Sequence, residues 1–447
     1  MTTDPTTPSA IRPSEVHDRL AAHILADGLD IVLDLTESRG SRIRDARRGR
    51  EILDLFGCFS TIPIGYNHPR LFEPEFERRL LAAAINKPSN SDLYTVEMAD
   101  FVDAFARTLP QSFRSHLFFI SGGALAVENA LKAAFDWKRQ LNDRAGRGVR
   151  GEQVIHFEQA FHGRSGYTLS LTNTDRRKTR YFPKFSWPRI PNPHLSFPLT
   201  DEVLERVEAA EAAAIEAIEQ AIVEHRHDIA ALIVEPIQGE GGDNHFRREF
   251  LAALRELADE NEFLLVFDEV QTGFGTTGSW WCFEQLGVEP DIFAFGKKTQ
   301  ICGIAATRRL DEIDSVFAVS SRINSTWGGN LVDMVRCQRI IEVIEEEDLL
   351  TNAQRVGEEI LVRLRAWEET YDGRVSNSRG RGLFVAFDLP THEERERLLR
   401  LMYEADVLGL RSGQRAIRFR PALNLSSDDA REGLHRIERA LDRLYGS

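Results

Sequence analysis

Between about Pro110 and Gly296, short apolar segments alternate with longer segments of helical periodicity. The apolar segments are HLFFIS (116–121), EQVIHF (152–157), IAALIVEP (229–236), FLLVFDE (263–269) and DIFAFG (291–296), and helix-forming stretches such as 125–140 and 203–226 separate them. Strands that alternate with helices are typical of a mostly parallel sheet covered by helices on both faces. Such sheets bind ligands beyond the carboxyl ends of their strands, so we expect a site there.

The pattern changes at both ends of the chain. Residues 31–57 place a charged, turn-rich stretch between the apolar runs IVLDL and EILDLF, which predicts a hairpin. Residues 333–370 and 427–445 predict helices, and residues 379–390 and 416–423 predict strands. We therefore predict three parts: an N-terminal arm and hairpin (1–60) that belongs to the small domain, a large domain that carries the expected site (61–330), and a C-terminal small α+β domain (331–447).

Composition excludes several classes of function. The formal net charge is −14, whereas a protein that grips phosphate backbones is normally basic, so we expect no nucleic-acid partner. The four cysteines (Cys58, Cys282, Cys302 and Cys337) lack metal-type spacing, so we predict reduced, buried thiols and no metal. No apolar run approaches the roughly 20 residues that span a bilayer. The polar first ten residues do not resemble a secretion signal, and together these features predict a cytoplasmic protein.

Three turns that follow predicted strands carry residues with chemical roles. Gly122–Ala124 separates a strand from a helix, and the backbone N–H groups of such a turn favour an anion. Asp268 and Glu269 end a very apolar strand, where a carboxylate needs a cation or hydrogen bonds. Lys297 and Lys298 follow the next strand, 29 residues after Asp268, which is the length of one strand–crossover–strand unit.

Each turn has an ordinary explanation by itself: a tight glycine turn, two solvated acids and two solvated lysines. Together they fit one ligand, because a phosphate needs the glycine turn and an aldehyde needs an amine that attacks it. A pyridine nitrogen, in turn, needs a carboxylate to keep it protonated. The ligand with these three groups is pyridoxal 5′-phosphate.

Seven ordered segments resemble a known family, the class III, fold-type I pyridoxal-phosphate aminotransferases. They are SGGALAVENALK, FHGRSG, VEPIQGEGG, VFDEVQTGFG, DIFAFGKK, STWGGN and IRFRPAL, and the resemblance runs from about residue 25 to the C-terminus. It implies an α/β fold with a large, mostly parallel sheet sandwiched by helices and a smaller α+β domain. It also implies a homodimer with shared active sites.

The resemblance assigns a role to each matching residue. Lys297 would bond to the cofactor and later move a proton, and Asp268 would pair with the pyridine nitrogen. The other cofactor-binding residues would be Gly123 and Ala124 at the phosphate, Phe161 on the ring face, Gln271 at the ring hydroxyl and facing the substrate, and Thr326 at the phosphate of the neighbouring subunit's cofactor.

Substrate binding is also implied by the resemblance. Arg164, helped by Asn324, would bind the distal carboxylate of the substrate, and Arg418 would bind the α-carboxylate of 2-oxoglutarate. Glu240 would neutralise Arg418 when a donor reacts through a terminal amine. Residues 85–95, 160–174, 295–303 and 322–334 are most similar to members that transfer the ε-amino group of L-lysine to 2-oxoglutarate.

Other functions remain open at this point. Aminotransferases for ornithine or 4-aminobutyrate belong to the same family. More remote alternatives are a pyridoxal-phosphate enzyme that does not transaminate and a non-catalytic protein that binds the cofactor. The stretch at residues 58–69 lies where family members line the substrate mouth, and its alignment leaves selection for side-chain length undecided.

Overall fold

The computed structural model describes residues 11–446, so the polar segment Met1–Ala10 of the predicted arm lies outside the described residues. The chain then forms α1 (Val16–Ala21), β1 (Arg42–Arg44), β2 (Glu51–Asp54) and the short left-handed turn α2 (Gly57–Ser60). β1 and β2 form the predicted antiparallel hairpin. Its first strand, however, lies in the charged stretch and not in IVLDL, because Ile43 pairs with Ile52 in the core while Leu35 stays exposed.

The middle of the chain contains the alternating elements that the pattern predicts. They are α3 (Pro74–Ile85), α4 (Val96–Arg107), β3 (His116–Ile120), α5 (Gly123–Arg144), β4 (Gln153–Phe157), α6 (Gly166–Leu171), β5 (Arg189–Ile190), α7 (Asp201–Glu224), β6 (Ile229–Val234), β7 (Ile237–Gln238), β8 (Asn244–His245), α8 (Arg248–Glu260), β9 (Leu264–Asp268), α9 (Cys282–Leu286), β10 (Ile292–Phe295) and β11 (Cys302–Ala306). Across residues 11–446, none of the helices is both long and apolar enough to cross a bilayer.

Seven of these strands form one sheet in the order β3–β11–β10–β9–β6–β4–β5. β10, β9, β6, β4 and β5 pair in parallel, and β11 pairs antiparallel with both β10 and β3. The mostly parallel sheet of the predicted α/β class is therefore confirmed. The sequence pattern did not predict β11, since only the single 3-10 turn Lys297–Thr299, and no α-helix, separates it from β10.

The sheet is covered by helices on both faces, and the alternation of side chains along its strands accounts for this. In β9, Leu265 and Phe267 pack with residues of α4 and α8, whereas Leu264 and Val266 pack with residues of α5. All five residues of β9 are buried. Burial on both faces explains why Leu264–Phe267 is continuously apolar, and the one polar residue of the strand, Asp268, stands at its carboxyl end.

The C-terminal part forms α10 (Leu331–Glu346), α11 (Leu349–Thr370), β12 (Ser376–Arg381), β13 (Phe384–Asp388), α12 (His392–Glu404), β14 (Val407–Leu408), β15 (Leu410–Ser412), β16 (Ala416–Phe419) and α13 (Ser427–Tyr445). Four strands make an antiparallel sheet in the order β12–β13–β16–β15. β14 pairs in parallel with β2, which joins the N-terminal hairpin to this part. One apolar core continues from β9 to β16, so the boundaries at residues 60 and 330 stay predictions.

Candidate active site

The carboxyl ends of four parallel strands bring the candidate residues together. Phe161 and His162 follow β4, Glu235 follows β6, Asp268 ends β9, and Lys297 follows β10. β10 and β9 are paired so that Ala294 faces Asp268 across the sheet. Because these strands are parallel, all four ends lie at one edge, which is where sequence reasoning expected the site.

The structure separates the two adjacent lysines. Lys298 is buried, and its Nζ donates to Ser60 Oγ at 3.1 Å and to the Pro421 carbonyl at 3.2 Å. Lys297 Nζ has no hydrogen-bond or ion-pair partner among residues 11–446. Burial lowers the pKa of Lys297, and the charge of Asp268 opposes this shift. An amine with a lowered pKa and no partner is available to attack a carbonyl, which makes Lys297 the candidate reactive lysine of the pair.

Lys298 supports a segment with unusual backbone geometry. Gly57, Cys58, Phe59 and Ser60 are all left-handed, with φ of 53°, 47°, 59° and 74°. Each non-glycine residue in this conformation costs about 1–2 kcal/mol, so contacts such as that of Lys298 with Ser60 must offset the cost. A Cβ on Gly57 would lie 2.1 Å from the Arg420 carbonyl oxygen.

Gly57→Ala is therefore expected to be strongly destabilising. Gly40 is the matched control, because its φ is 52° and a Cβ there meets nothing within 4 Å. Both variants add strain, but only Gly57→Ala adds a clash with backbone, so it should cost at least about 2 kcal/mol more than Gly40→Ala. Urea unfolding of the two variants measures the difference, and equal losses would contradict the clash.

A buried histidine orients Asp268. His162 Nδ1 donates to Asp268 Oδ2 at 2.8 Å, and the Val270 N–H donates to Oδ1 at 3.1 Å. Both residues are buried, at 2% and 6% exposure. His162 Nε2 is buried without a partner in the described chain. Sequence reasoning missed His162, although it stands inside the quoted FHGRSG segment beside Phe161.

Glu269, the residue after Asp268, accepts its hydrogen bonds away from the site. Glu269 Oε1 accepts from the Phe283 N–H at 2.9 Å, and Oε2 accepts from the Thr272 hydroxyl. Burial raises the pKa of Glu269 to about 7. Glu269 thus holds the turn after β9 against α9, while Asp268 faces the site.

Glu235 connects two loops beneath the site. Its Oε1 accepts from the Phe161 N–H and its Oε2 from the Gly239 N–H, both at 2.9 Å. Burial raises the pKa of Glu235 to about 7. The loop that carries Phe161 and His162 is thereby fixed to the end of β6.

The N-terminus of α5 offers unpaired backbone donors. Gly122 precedes this helix with φ of 106°, and no heavy atom lies within 4 Å of the position that a Cβ would take. The N–H groups of Gly123 and Ala124 lack intrahelical acceptors, as at every helix start. Cys302, the first residue of β11, lies beside this turn, since it pairs with Ile120 at the end of β3. A Cβ on Gly296, just before Lys297, would lie 2.9 Å from the Cys302 sulfur.

The remaining cysteines are only partly as predicted. Cys282 and Cys337 are buried, but Cys58 and Cys302 are partly exposed. The expectation of four buried thiols is therefore wrong for two of them. Cys58 lies in the left-handed turn α2, and Cys302 is the first residue of β11.

Two arginines from the C-terminal sheet surround Gln271. Arg418 Nη1 and Arg420 Nε donate to Gln271 Oε1 at 2.8 and 3.1 Å. Arg420 also forms a buried ion pair with Asp243. Arg418 has no carboxylate within ion-pair distance among the described residues, and its buried Nε lacks a partner. Since the Gln271 oxygen is occupied, its amide N–H groups are left to donate into the site.

The structure does not pair Glu240 with Arg418. Glu240 Oε1 instead forms an ion pair with Lys178 and accepts from Thr174 Oγ1 at 3.1 Å. Lys178 Nζ lies 5.3 Å from the centre of the Phe161 ring. Arg164 is exposed and has no hydrogen-bond or ion-pair partner in residues 11–446. The site therefore contains two cations, Arg164 and Arg418, without a bound carboxylate.

Comparison with known proteins matches this geometry to one family. The family model described as aminotransferase class-III matches residues 25–441. The chain belongs to the class-III aminotransferases. It is 52% identical over 432 residues to the L-lysine-epsilon aminotransferase of Mycobacterium tuberculosis, covering 96% of each chain. Mitochondrial 4-aminobutyrate aminotransferase of Mus musculus is 31% identical over 433 residues, which cover 92% of this chain and 85% of that protein.

A solved structure agrees with this assignment. The lysine aminotransferase from M. tuberculosis superimposes with a TM-score of 0.95 at 51% identity, covering 97% of this chain and 100% of the other. The resemblance to class-III aminotransferases and the fold-type I architecture are therefore confirmed. Pyridoxal 5′-phosphate is the cofactor of this family.

The residues of this class-III aminotransferase fit that cofactor. Lys297 has an unpartnered amine for its aldehyde, and Asp268 is a hydrogen-bonded carboxylate for its ring nitrogen. The open turn at Gly122 and the free N–H groups of Gly123 and Ala124 suit its phosphate. The aldehyde, the ring nitrogen and the phosphate of the cofactor thus each have a matching group at this edge of the sheet.

Asn324 and Thr326 are exposed, and neither makes a hydrogen bond to these groups among residues 11–446. Asn324 Oδ1 accepts from the neighbouring Ser325 N–H at 2.7 Å, and no hydrogen bond joins Asn324 to Arg164. Ser89 Oγ donates to the Thr326 carbonyl. Within one chain the structure brings neither residue to Lys297, so their assigned roles stay predictions.

Proposed function

We propose that this aminotransferase transfers the ε-amino group of L-lysine to 2-oxoglutarate. The products are 2-aminoadipate 6-semialdehyde (allysine) and L-glutamate, so the oxidation of one carbon balances the reduction of the other. The observation that carries the proposal is the pair of arginines, Arg164 and Arg418, that lack a carboxylate partner in the described chain. Relatives named for L-lysine support the choice of donor. The semialdehyde then cyclises to piperideine-6-carboxylate with loss of water, because its amine and aldehyde share one chain.

Arg164 binds the α-carboxylate of lysine at the mouth of the site. Its exposed guanidinium offers the planar fork that holds a carboxylate through two hydrogen bonds. The extended lysine side chain then carries its ε-amine inward toward Lys297. Arg418 needs no substrate carboxylate in this half-reaction, because a terminal amine has none beside the reacting carbon.

Lys297 moves the proton in both half-reactions. When bound, the cofactor supplies an aldehyde that accepts the amino group and a ring that accepts the electrons of the broken C–H bond. The Lys297 amine, whose pKa burial lowers, would hold the proton removed from the carbon that bears the ε-amine and would return it to the aldehyde-derived carbon of the cofactor. Asp268, fixed by His162, would hold the ring nitrogen protonated, and the amide N–H of Gln271, whose oxygen is taken by Arg418, would donate to the ring hydroxyl oxygen.

2-Oxoglutarate enters after the semialdehyde has left, which makes the kinetics ping-pong. Its α-carboxylate binds Arg418, and its distal carboxylate binds Arg164. Glu240 has to stand away from Arg418 in this half-reaction, and its contacts with Lys178 and Thr174 support such a position.

A test with separate donors distinguishes the candidate reactions. L-Lysine, L-ornithine and 4-aminobutyrate are each mixed with the cofactor-loaded enzyme without an acceptor, and the visible absorption of the bound cofactor is followed. We expect L-lysine to remove the band at least about tenfold faster per unit concentration than either competitor, and 2-oxoglutarate to restore it. Faster loss with ornithine or 4-aminobutyrate would make one of them the donor. A band that no amine removes would indicate a protein that binds the cofactor without transaminating.

We further propose that the enzyme is a cytoplasmic homodimer with shared sites. Exposed apolar side chains occur in residues 81–96 and at Trp327; they are Leu81, Ile85, Leu93, Tyr94, Val96 and Trp327. Ser89, in the first of these segments, donates to the carbonyl of Thr326, the neighbour of Trp327. Lys87 Nζ lies 3.8 Å from the centre of the Trp327 ring, which joins the two segments into one surface. An apolar surface of this kind favours a second subunit. Burial there would bring Thr326 and Asn324 toward the partner's site.

A further inference from the structure

The Glu240 side chain is held by contacts that do not involve Arg418. Its side chain is three-quarters buried, with 25% exposure, and contacts Lys178 and Thr174. Its own carbonyl accepts from the Gly413 N–H at 2.9 Å, which fixes the backbone. Arg418 meanwhile keeps a buried Nε without a partner in residues 11–446. The Glu240 carboxylate is therefore held by Lys178, while Arg418 has no carboxylate partner in residues 11–446.

Lys178 is close enough to Arg164 and Arg418 for their charges to act on it. It ends the short turn Arg176–Lys178, and its side chain is 29% exposed. Burial lowers the pKa of Lys178, Asp175 opposes that shift, and Arg164 and Arg418 add to it. The ammonium also lies over the Phe161 ring. A lysine among two arginines is unfavourable unless an acid neutralises it, and Glu240 is that acid.

We propose that Lys178 is a positioning residue that holds Glu240 away from Arg418 and so keeps Arg418 free for the α-carboxylate of the acceptor. This inference rests on the proposed function, because it concerns the half-reaction in which a dicarboxylate binds. Lys178 acts through Glu240 and needs no contact with the substrate. It sets how readily the second half-reaction begins.

The expected effect follows from competition between two cations for one carboxylate. Without the charge of Lys178, Glu240 moves to Arg418, and an incoming dicarboxylate must displace it. The apparent affinity for the acceptor is then the intrinsic affinity multiplied by the fraction of enzyme molecules in which Arg418 is not paired with Glu240. A terminal-amine donor leaves Arg418 without a substrate carboxylate, so its affinity is unchanged or improved.

The test compares Lys178→Met with the wild-type holoenzyme. We expect the KM for 2-oxoglutarate to rise about fivefold to tenfold, while the KM for L-lysine stays within about twofold. The dissociation constant of glutarate, an unreactive dicarboxylate, should rise by the same factor in calorimetric titration. That titration measures binding alone and does not depend on turnover.

Three variants provide the controls. Arg177→Met removes a neighbouring cation whose side chain is 84% exposed and pairs with Asp175, so it should leave both KM values unchanged. Lys178→Arg keeps the charge and should restore most of the affinity for glutarate. In a Glu240→Gln background, Lys178→Met should have little further effect, because no carboxylate remains for Lys178 to hold.

Each outcome decides between distinct explanations. A loss of glutarate affinity that persists in the Glu240→Gln background would mean that Lys178 binds the dicarboxylate directly, which overturns the proposal. Equal changes for both substrates, or none, would overturn it too. If L-lysine does not remove the visible band of wild-type enzyme, the proposed function fails, but glutarate binding still tests the link between Lys178 and Glu240.

Discussion

Lys297→Ala is expected to lower the rate of transamination by about 10⁴-fold or more, because it removes both the covalent attachment and the group that moves the proton. Glutamate formation from L-lysine and 2-oxoglutarate measures the rate. Borohydride reduction of the wild-type holoenzyme, followed by peptide mass spectrometry, should place the cofactor on Lys297 and not on Lys298. The variant should show no attachment at this peptide.

Lys298→Met is the matched control, since it changes the adjacent lysine. Its amine contacts Ser60 Oγ and the Pro421 carbonyl and does not face Asp268. The variant should keep the cofactor on Lys297 and lose up to about 2 kcal/mol of stability, as for a buried hydrogen-bonded group. Attachment to Lys298, or activity retained by Lys297→Ala, would refute the assignment of the reactive lysine.

Asp268→Asn should lower kcat by about 10³-fold, with little change in fold. The amide has nearly the shape of the carboxylate, but it lacks the charge that keeps a ring nitrogen protonated. Loss of the visible band after mixing with saturating L-lysine, in a single turnover, measures this step directly. The cofactor content of the variant, determined after alkaline release, separates a chemical defect from loss of cofactor.

Glu269→Gln tests whether the position of the charge matters. Glu269 is the next residue, but its oxygens accept from the Phe283 N–H and the Thr272 hydroxyl, away from the site. We expect its kcat to stay within about twofold of the wild type. If Asp268→Asn kept its kcat within tenfold, another acid would have to protonate the ring, and Glu235 would be the first to examine.

Several site residues could not be found from the sequence, and the reasons differ. His162 contacts Asp268 from 106 positions away along the chain, and a buried histidine has no sequence pattern of its own. Lys178 lies in a charged stretch, DRRK, that reads as a solvated surface turn. Arg420 follows Arg418 by two positions in the IRFRPAL segment, and the resemblance assigned a role to Arg418 alone. Contacts of this kind depend on how distant loops meet.

The sequence by itself determined the α/β class, the strands that carry the site and the three turns with chemical groups. It could do so because buried parallel strands are continuous apolar runs, and because their carboxyl ends meet at one edge. Only the tertiary structure decided which of two adjacent groups faces the site. Each pair, Asp268 with Glu269 and Lys297 with Lys298, carries the same kind of charged group. The two side chains of a pair differ only in the direction in which they point. Direction is set by partners from distant segments, such as His162, Phe283 and Ser60.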